Sequence, residues 1–423
     1  MSRLHNRRPT SSLFLFPFSF FLFTLLSAAP QAQQTEAWPQ FRGPDGQGHS
    51  TETNLPLEWS ETKNVAWKTA IRGRGWSSPV VADGRVWVTT SVEQARSASL
   101  RALAFDVESG REIVNVEVFR LSNATLKNPK NSNASPTPIV EGNRVYLHFG
   151  ADGTAAIDAA TGALVWKAQF PYESQHGAGG SPALYKDLLI FSGDGHYEAW
   201  VVALDKNTGK VRWKTERRKP FAQAYTTPLV ISVGGRDQVV SVGAFRAEAY
   251  NPETGKEIWY VRYEDGFSNV PRPVYGHGLV YITTGFFEPA VLAVRADGTG
   301  DVTSTHKAWS ISRGAPFTPS PILVGDELYI VSDLGILSCA DAKTGKVLWQ
   351  QRLGGNHSAS PIFADGRLYF LSEEGVATVI APGKTFQKLA VNELDGATLA
   401  SMAVARGSFF IRSLTHLYRI TAG

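Results

Sequence analysis

The sequence predicts an all-β protein: an eight-bladed β-propeller of four-stranded antiparallel blades, with the last blade closed by an N-terminal strand. Three observations carry this. The first is a recurring phrase, in which an alternating run leads to a polar turn ending in Thr-Gly, with tryptophan four residues beyond the glycine. Residues 338–350 read SCADAKTGKVLWQ, and IDAATGALVWK (Trp166), ALDKNTGKVRWK (Trp213) and AYNPETGKEIWY (Trp259) repeat it, while AFDVESGREIVN puts Val114 where the tryptophan would be. The second is an opening strand, mostly Ser-Pro or Thr-Pro, with an aromatic or aliphatic residue eight positions on. The third is a mismatch at the two ends, described below. A repeat of about 40–50 residues made of four short strands is the period of a propeller blade.

The first thirty residues stand apart. Arg3, Arg7 and Arg8 precede an apolar run from Leu13 to Leu26, and Ser27-Ala28-Ala29 follows. Basic, apolar, then small is the order of a secretory signal peptide, so residues 1–29 are expected to be cleaved. The run is short for a span of about 20 apolar residues. No later stretch is long enough, so no transmembrane helix is expected in the mature form. This leader holds three arginines and no acid, so it accounts for most of the +4 formal charge. The near-neutral remainder offers no argument for nucleic acid. Cys339 is the only cysteine, which leaves no internal disulfide and no residue for a lipid anchor. A soluble, monomeric, periplasmic or secreted protein is expected.

Residues 30–61, including WPQFRGPDGQG at 38–48, read as a loop segment packing on the propeller, and 62–423 as the propeller itself. Blade one opens at Pro79 with Trp87 eight residues on. Blades two and three pair Pro138 with Tyr146 and Pro182 with Ile190. Blade four opens at Pro228, and blades five to seven pair Pro273 with Tyr281, Pro321 with Tyr329, and Pro361 with Tyr369. Period-two alternation broken by Asp-Gly, Gly-Asn and Gly-Asp turns is hairpin grammar, and proline is tolerated at the first residue of a strand. The eighth unit, with Met402 and Phe410, ends before a fourth strand, and NVAWKTAI at residues 64–71 supplies the missing partner. Closure removes free sheet edges. Trp67, Trp166, Trp213, Trp259, Trp309 and Trp349 occupy the same outer position. Burying an indole removes roughly 150–250 Å² from water, an upper bound of about 4–6 kcal/mol, which is reason enough for their recurrence.

The phrase A-x-D-x-x-T-G-x-x-x-W resembles the tryptophan-docking motif of quinoprotein-type, PQQ-like β-propellers. Ala203, Asp205, Thr208, Gly209 and Trp213 match it position by position; Asp341, Thr344, Gly345 and Trp349 match with Ala340 one residue out of register. The resemblance covers nearly all of the chain after the leader and speaks for fold, since the motif docks blades and touches no ligand. One branch of that superfamily, the quinoprotein alcohol dehydrogenases, implies PQQ with calcium on the axis and an adjacent cysteine pair. Cys339 alone cannot supply that pair, so no cofactor is expected and PQQ with calcium stands as the alternative. The other branch, non-catalytic envelope propellers such as the propeller lipoprotein of the barrel-assembly machinery, is closer in length and blade number. It implies a non-enzymatic scaffold with a protein partner in the bacterial cell envelope.

Tight, stereotyped turns fall on one face, so a site is expected among the irregular loops of the other. The inter-blade loops there carry Arg72, Arg74 and Trp76; Lys127, Lys130 and Asn133; His176; Arg217, Arg218 and Lys219; Arg272; Arg313; and His357. The loops between second and third strands add Asp152; Asp194, His196, Tyr197 and Glu198; Arg246; Phe286, Phe287 and Glu288; Asp333; and Glu373 and Glu374. The expectation is a basic, aromatic-walled funnel built from Arg72, Arg74, Trp76, Asn133, His176, Asp194, His196, Arg246, Arg272, Arg313 and His357. It would take a protein partner or an anionic ligand, with a carbohydrate- or polyanion-binding module as a further alternative. No catalytic residue and no metal ligand is assigned: H-E-x-x-H, G-x-S-x-G and cysteine-pair zinc spacings are absent.

Overall fold

Why the repeated phrase folds as it does is visible in the sixth blade of the computed structural model, which describes residues 1–2, 37–122, 124, 128–217 and 222–423. The blade's strands are Ile322–Val324, Glu327–Val331, Ile336–Asp341 and Val347–Arg352. They pair antiparallel in sequence order, with Ile322 opposite Tyr329, Tyr329 opposite Cys339, and Cys339 opposite Trp349. Asp341 holds the last turn: its Oδ1 accepts from the backbone N–H and the hydroxyl of Thr344, each at 2.8 Å. Gly345 follows at φ +73°, and a Cβ there would lie 2.7 Å from the Trp309 ring of the preceding blade. Left-handed backbone and close approach both call for glycine.

The Trp309 indole donates to the Ala342 carbonyl in the same turn, at 3.0 Å. Each phrase therefore builds its own turn and the socket for its neighbour's tryptophan. Trp67, Trp166, Trp213 and Trp349 make the equivalent bond to Val107, Lys206, Pro252 and Gly383 at 2.8–3.1 Å. Trp259 differs because the next blade lacks the Thr-Gly turn. Its indole donates to Gln238 Oε1 at 2.7 Å, and Gln238 Nε2 passes the link on to Ala296 O at 3.0 Å.

Eight such sheets form the described residues. Seven have four strands, and the fourth blade gains a fifth, Gly300–Asp301, lying parallel to its outer strand Glu257–Arg262. The long connection within blade five supplies that addition, which the repeat pattern does not announce. The opening-proline frame appears as register: the residue after each proline pairs with the expected second-strand residue, as in Val80 with Trp87, Ile139 with Tyr146, and Val274 with Tyr281. Val65–Ala70 pairs antiparallel with His416–Thr421, Ala70 opposite His416, so the first strand closes the last blade. The core lies between blades; one cluster joins Trp67, Phe410, Tyr418, Tyr369 and Trp59 across the closure.

The segment ahead of the first strand crosses the turn face. Trp38 exchanges backbone bonds with Val81 of blade one, and Pro39 accepts from Val140 of blade two. Farther on, Gln47 Oε1 accepts from Tyr275 N of blade five at 2.6 Å, Arg42 donates to Pro321 O of blade six at 2.8 Å, and Ser50 bonds to Phe363 of blade seven. Blades two and six face each other across an eight-membered ring, so a segment bonded to both spans the axis. Gly46 is required there: it has φ +69°, and a Cβ would collide with the Arg272 guanidinium. Lys127, Arg218, Lys219 and all but the first two residues of the leader lie outside the described residues. Among the described residues no helix is long and apolar enough to cross a membrane.

Candidate functional site

Above that crossing segment, on the loop face, lies an axial cavity of about 850 Å³ whose lining includes Phe41 of the segment itself. Two tiers of side chains build its wall, and both follow from strand geometry. The residue just before the opening proline (or Met402) reaches the axis as Ser78, Thr137, Ser181, Thr227, Ser320, Ser360 and Ser401; the residue two earlier does so as Trp76, Ser135, Gly179, Tyr225, Val270, Thr318, Ser358 and Leu399. Successive residues of an extended chain point opposite ways, so every second one faces the channel.

The lower tier is a hydrogen-bonded belt. Ser78 N–H donates to Thr137 Oγ1, Thr137 N–H to Ser181 Oγ, Ser181 N–H to Thr227 Oγ1, Ser320 N–H to Ser360 Oγ, and Ser360 N–H to Ser401 Oγ, all at 2.8–3.0 Å. Blade five has Arg272 at this position: its own N–H donates to Ser320 Oγ at 3.0 Å, but it offers the preceding blade no hydroxyl. The Ser-Pro opening thus ties neighbouring blades together where they crowd the axis, and buried N–H groups find their acceptors.

The upper tier and the loops beyond it are aromatic and amidic. Trp76, Tyr225, Phe267, Phe286 and Phe317 share the lining with Asn128, Asn131, Gln175, Gln223, His176 and His196. Burial holds the His176 imidazole below its ordinary value and pushes the Tyr225 hydroxyl up to about 12, so both are neutral near pH 7. Lys130 is the one Lys or Arg among the described lining residues, and Glu373 pairs with it at 2.6 Å. Among the described lining residues there is no Asp or Glu.

Of the residues the sequence nominates, Trp76, His176 and His196 line this cavity. Arg72 lines a separate polar recess of about 230 Å³ beside blade one. Arg74 donates to the Pro129 carbonyl and lies 5.9 Å from the Trp76 ring, behind the wall. Asn133 sits half-buried between the lining residues Asn131 and Ser135 without lining the cavity itself, and Arg313 is exposed outside it. Asp194 does not join the two histidines: it is buried against Arg217 at 3.4 Å, and Arg217 reaches Glu248 at 3.1 Å. Burial alone would lower the Arg217 pKa, but the Asp194 and Glu248 carboxylates hold it above its ordinary value. Arg246 is taken up by Glu248 at 2.7 Å, by Glu257, and by the Tyr260 ring 3.8 Å away. His357 is buried with its N–H on Asp333 O and Nε2 3.1 Å from Gly354 O. Asp194, Arg217, Glu248 and Arg246 are thus taken up by one another's charges rather than held open to the channel.

Two buried arginines lie under the cavity floor. Arg272 is buried and donates to Phe41 O at 2.8 Å. Arg42 is buried beside it and donates to Pro321 O at 2.8 Å. Burial, together with the Arg272 charge, lowers Arg42 to about 9, and burial lowers Arg272 to about 10. These arginines carry the crossing segment.

A calcium-bound quinone needs several oxygen ligands, carboxylates foremost. The described lining presents hydroxyl and amide oxygens but no carboxylate, and among the described residues no three His, Cys, Asp or Glu side chains are grouped to hold a metal. Cys339 is fully buried in blade six, with burial pushing its thiol up to about 12. The described donor set does not fit PQQ with calcium.

An eight-bladed ring of tryptophan-docked blades around an axial cavity is the architecture of the PQQ-like propellers. The family model described as outer membrane protein assembly factor BamB matches residues 50–179, 151–296 and 288–399, and the chain belongs to that family. The BamB of Shewanella oneidensis is 25% identical over 235 residues, a match covering 51% of this chain and 56% of that protein. Among solved structures, BamB from Moraxella catarrhalis superposes with a TM-score of 0.57 at 14% identity, covering 84% of this chain and 99% of that one. The quinohemoprotein alcohol dehydrogenase of Comamonas testosteroni gives 0.67 at 13% identity, covering 92% and 81%. These two likenesses show the fold alone.

Proposed function

We propose that the protein is an exported, non-enzymatic scaffold of the bacterial cell envelope that binds a protein partner through the loop face and acts as a single chain without a quinone cofactor. One observation carries this reading. The large axial cavity opens among exposed aromatic loops, yet its described lining holds no carboxylate and no free Lys or Arg. A docking surface needs shape, aromatic area and amides, which this lining has. The envelope setting comes from membership of the BamB-described family and from the leader pattern.

The test is photocrosslinking in the intact envelope of the source cells. A crosslinkable residue replaces Tyr197 or Lys130 on the loop face, or Lys343 on the turn face. Discrete protein adducts are expected from the first two and not from the third. Adducts from Lys343 only, or dye-linked alcohol oxidation by purified protein supplied with PQQ and calcium, would overturn the proposal.

A further inference from the structure

The loops of blades four to six carry an aromatic patch that the lining does not exhaust. Phe286 is 50% exposed, Phe287 70%, Phe317 38%, and Leu334 on the next blade 68%. Phe267 lies 5.8 Å from the Phe286 ring and 5.5 Å from the Phe287 ring; Phe286 stands 6.3 Å from Phe317. Asp333 Oδ2 accepts from Phe317 N at 2.6 Å, which locks the blade-six loop to this cluster. Large apolar side chains gathered in the open on adjoining loops mark an interaction surface.

The backbone here is strained at two phenylalanines. Phe287 has φ +77° and Phe245, against Phe267 at 5.8 Å, has φ +60°. A bulky residue in the left-handed region costs about 1–2 kcal/mol and persists where the surroundings impose it, typically at binding sites.

Charge says what the patch receives. Glu264, Asp265 and Glu288 are exposed on the same loops as Phe267, Phe286 and Phe287, and one exposed cation, Arg313, precedes Phe317. Phe286 and Phe317 belong to both the patch and the cavity wall. A chain lying across the patch can therefore place a side chain in the neutral cavity while its flanks stay among acids. Resting on the loop-face reading above, we infer that the patch receives an extended protein segment with an aromatic or large aliphatic anchor flanked by lysine or arginine. Aromatic anchors in desolvated pockets dominate binding energy, and rim charges select the partner.

The probe is a fluorescein-labelled peptide, Lys-Ser-Phe-Leu-Phe-Ser-Lys, compared by anisotropy with versions carrying Glu for Lys or Ser for Phe. The parent peptide is expected to bind the full chain saturably, at least about tenfold tighter than either counterpart. The double variant F286S/F287S is expected to lose about tenfold, with its circular dichroism and thermal midpoint unchanged. Because those side chains are exposed, folding is not at stake, and Glu288→Lys is a second variant expected to weaken the parent peptide alone. No saturable binding, equal binding of the three peptides, or wild-type affinity in F286S/F287S overturns the inference. So does a concentration-dependent dimer lost in the double variant, which assigns the patch to a second copy of the chain. If crosslinks from Tyr197 and Lys130 persist while the peptides fail, the scaffold reading stands and only this partner chemistry falls.

Discussion

The two faces of the ring are built to opposite rules. On the turn face, Asp, Thr, Gly and Trp recur with closely similar bonds in most blades, and the segment crossing the axis is tied to at least five blades. On the loop face, successive blades present Trp76, Ser135, Gly179, Tyr225 and Val270 at equivalent positions. Among the side-chain hydrogen bonds made at that tier, Ser135 to Asn131 and Tyr225 to Gln223 each stay within one loop. Repetition marks where energy is stored, and variation marks where recognition can differ from one propeller to another. The comparison yields a rule: substitutions on the turn side should cost stability, and those at the loop rim should cost binding.

The largest expected effect breaks the turn side at its seam. Trp67 joins the closing strand to blade one through Val107 O at 3.0 Å. Trp67→Ala should destabilise by about 3–5 kcal/mol, seen as a lower denaturation midpoint. A loss below about 1 kcal/mol would mean that closure does not depend on this dock.

Acid should act next, on the loop side of blade two. Burial holds the His148 imidazole down to about 3 from 6.5, so the folded chain keeps it neutral. The unfolded chain takes up that proton as pH falls through 6.5, while the folded chain does not until about 3. Stability is therefore full above 6.5 and is lost on acidification through that window, by up to about 5 kcal/mol. Burial shifts His176 and His357 the same way. Equilibrium unfolding against pH should show the decline, and His148→Gln should flatten it.

The belt sharpens the boundary between the two faces. Ser181→Ala leaves the Thr137 N–H without its 2.9 Å acceptor, a cost of about 1–3 kcal/mol, and Ser181→Thr should recover most of it in the same denaturation series. The smallest effect has the opposite sign. Phe287→Gly, which relieves φ +77°, should raise stability by about 1 kcal/mol, measured as a higher thermal midpoint, while weakening the peptide of the preceding section.

Much of the candidate site could be read from the sequence, though by a different count. Stepping back one and three residues from each opening proline lands on the cavity wall in nearly every blade, a signal present in Ser78 and Trp76 as much as in Ser360 and Ser358. Reading loops for charge instead singled out Arg272 and Asp194, which are buried under the floor and behind the wall. Charge type is visible in a sequence, whereas the direction a loop side chain takes depends on which neighbour satisfies it. Phe286 and Phe287 were visible as loop aromatics, but their exposure and strain were not.

The number of blades, their strands, the closing strand and the docking tryptophans were all dictated by local chemistry. A turn, an alternation and a Thr-Gly with its Trp act within one blade or the next, and a period of that kind survives in one dimension. The crossing segment, the hydroxyl belt and the acid-rimmed aromatic patch exist only once the ring has closed. Arg42 and Pro321, or Phe286 and Phe317, are far apart along the chain and meet because eight blades leave an axis for them to share.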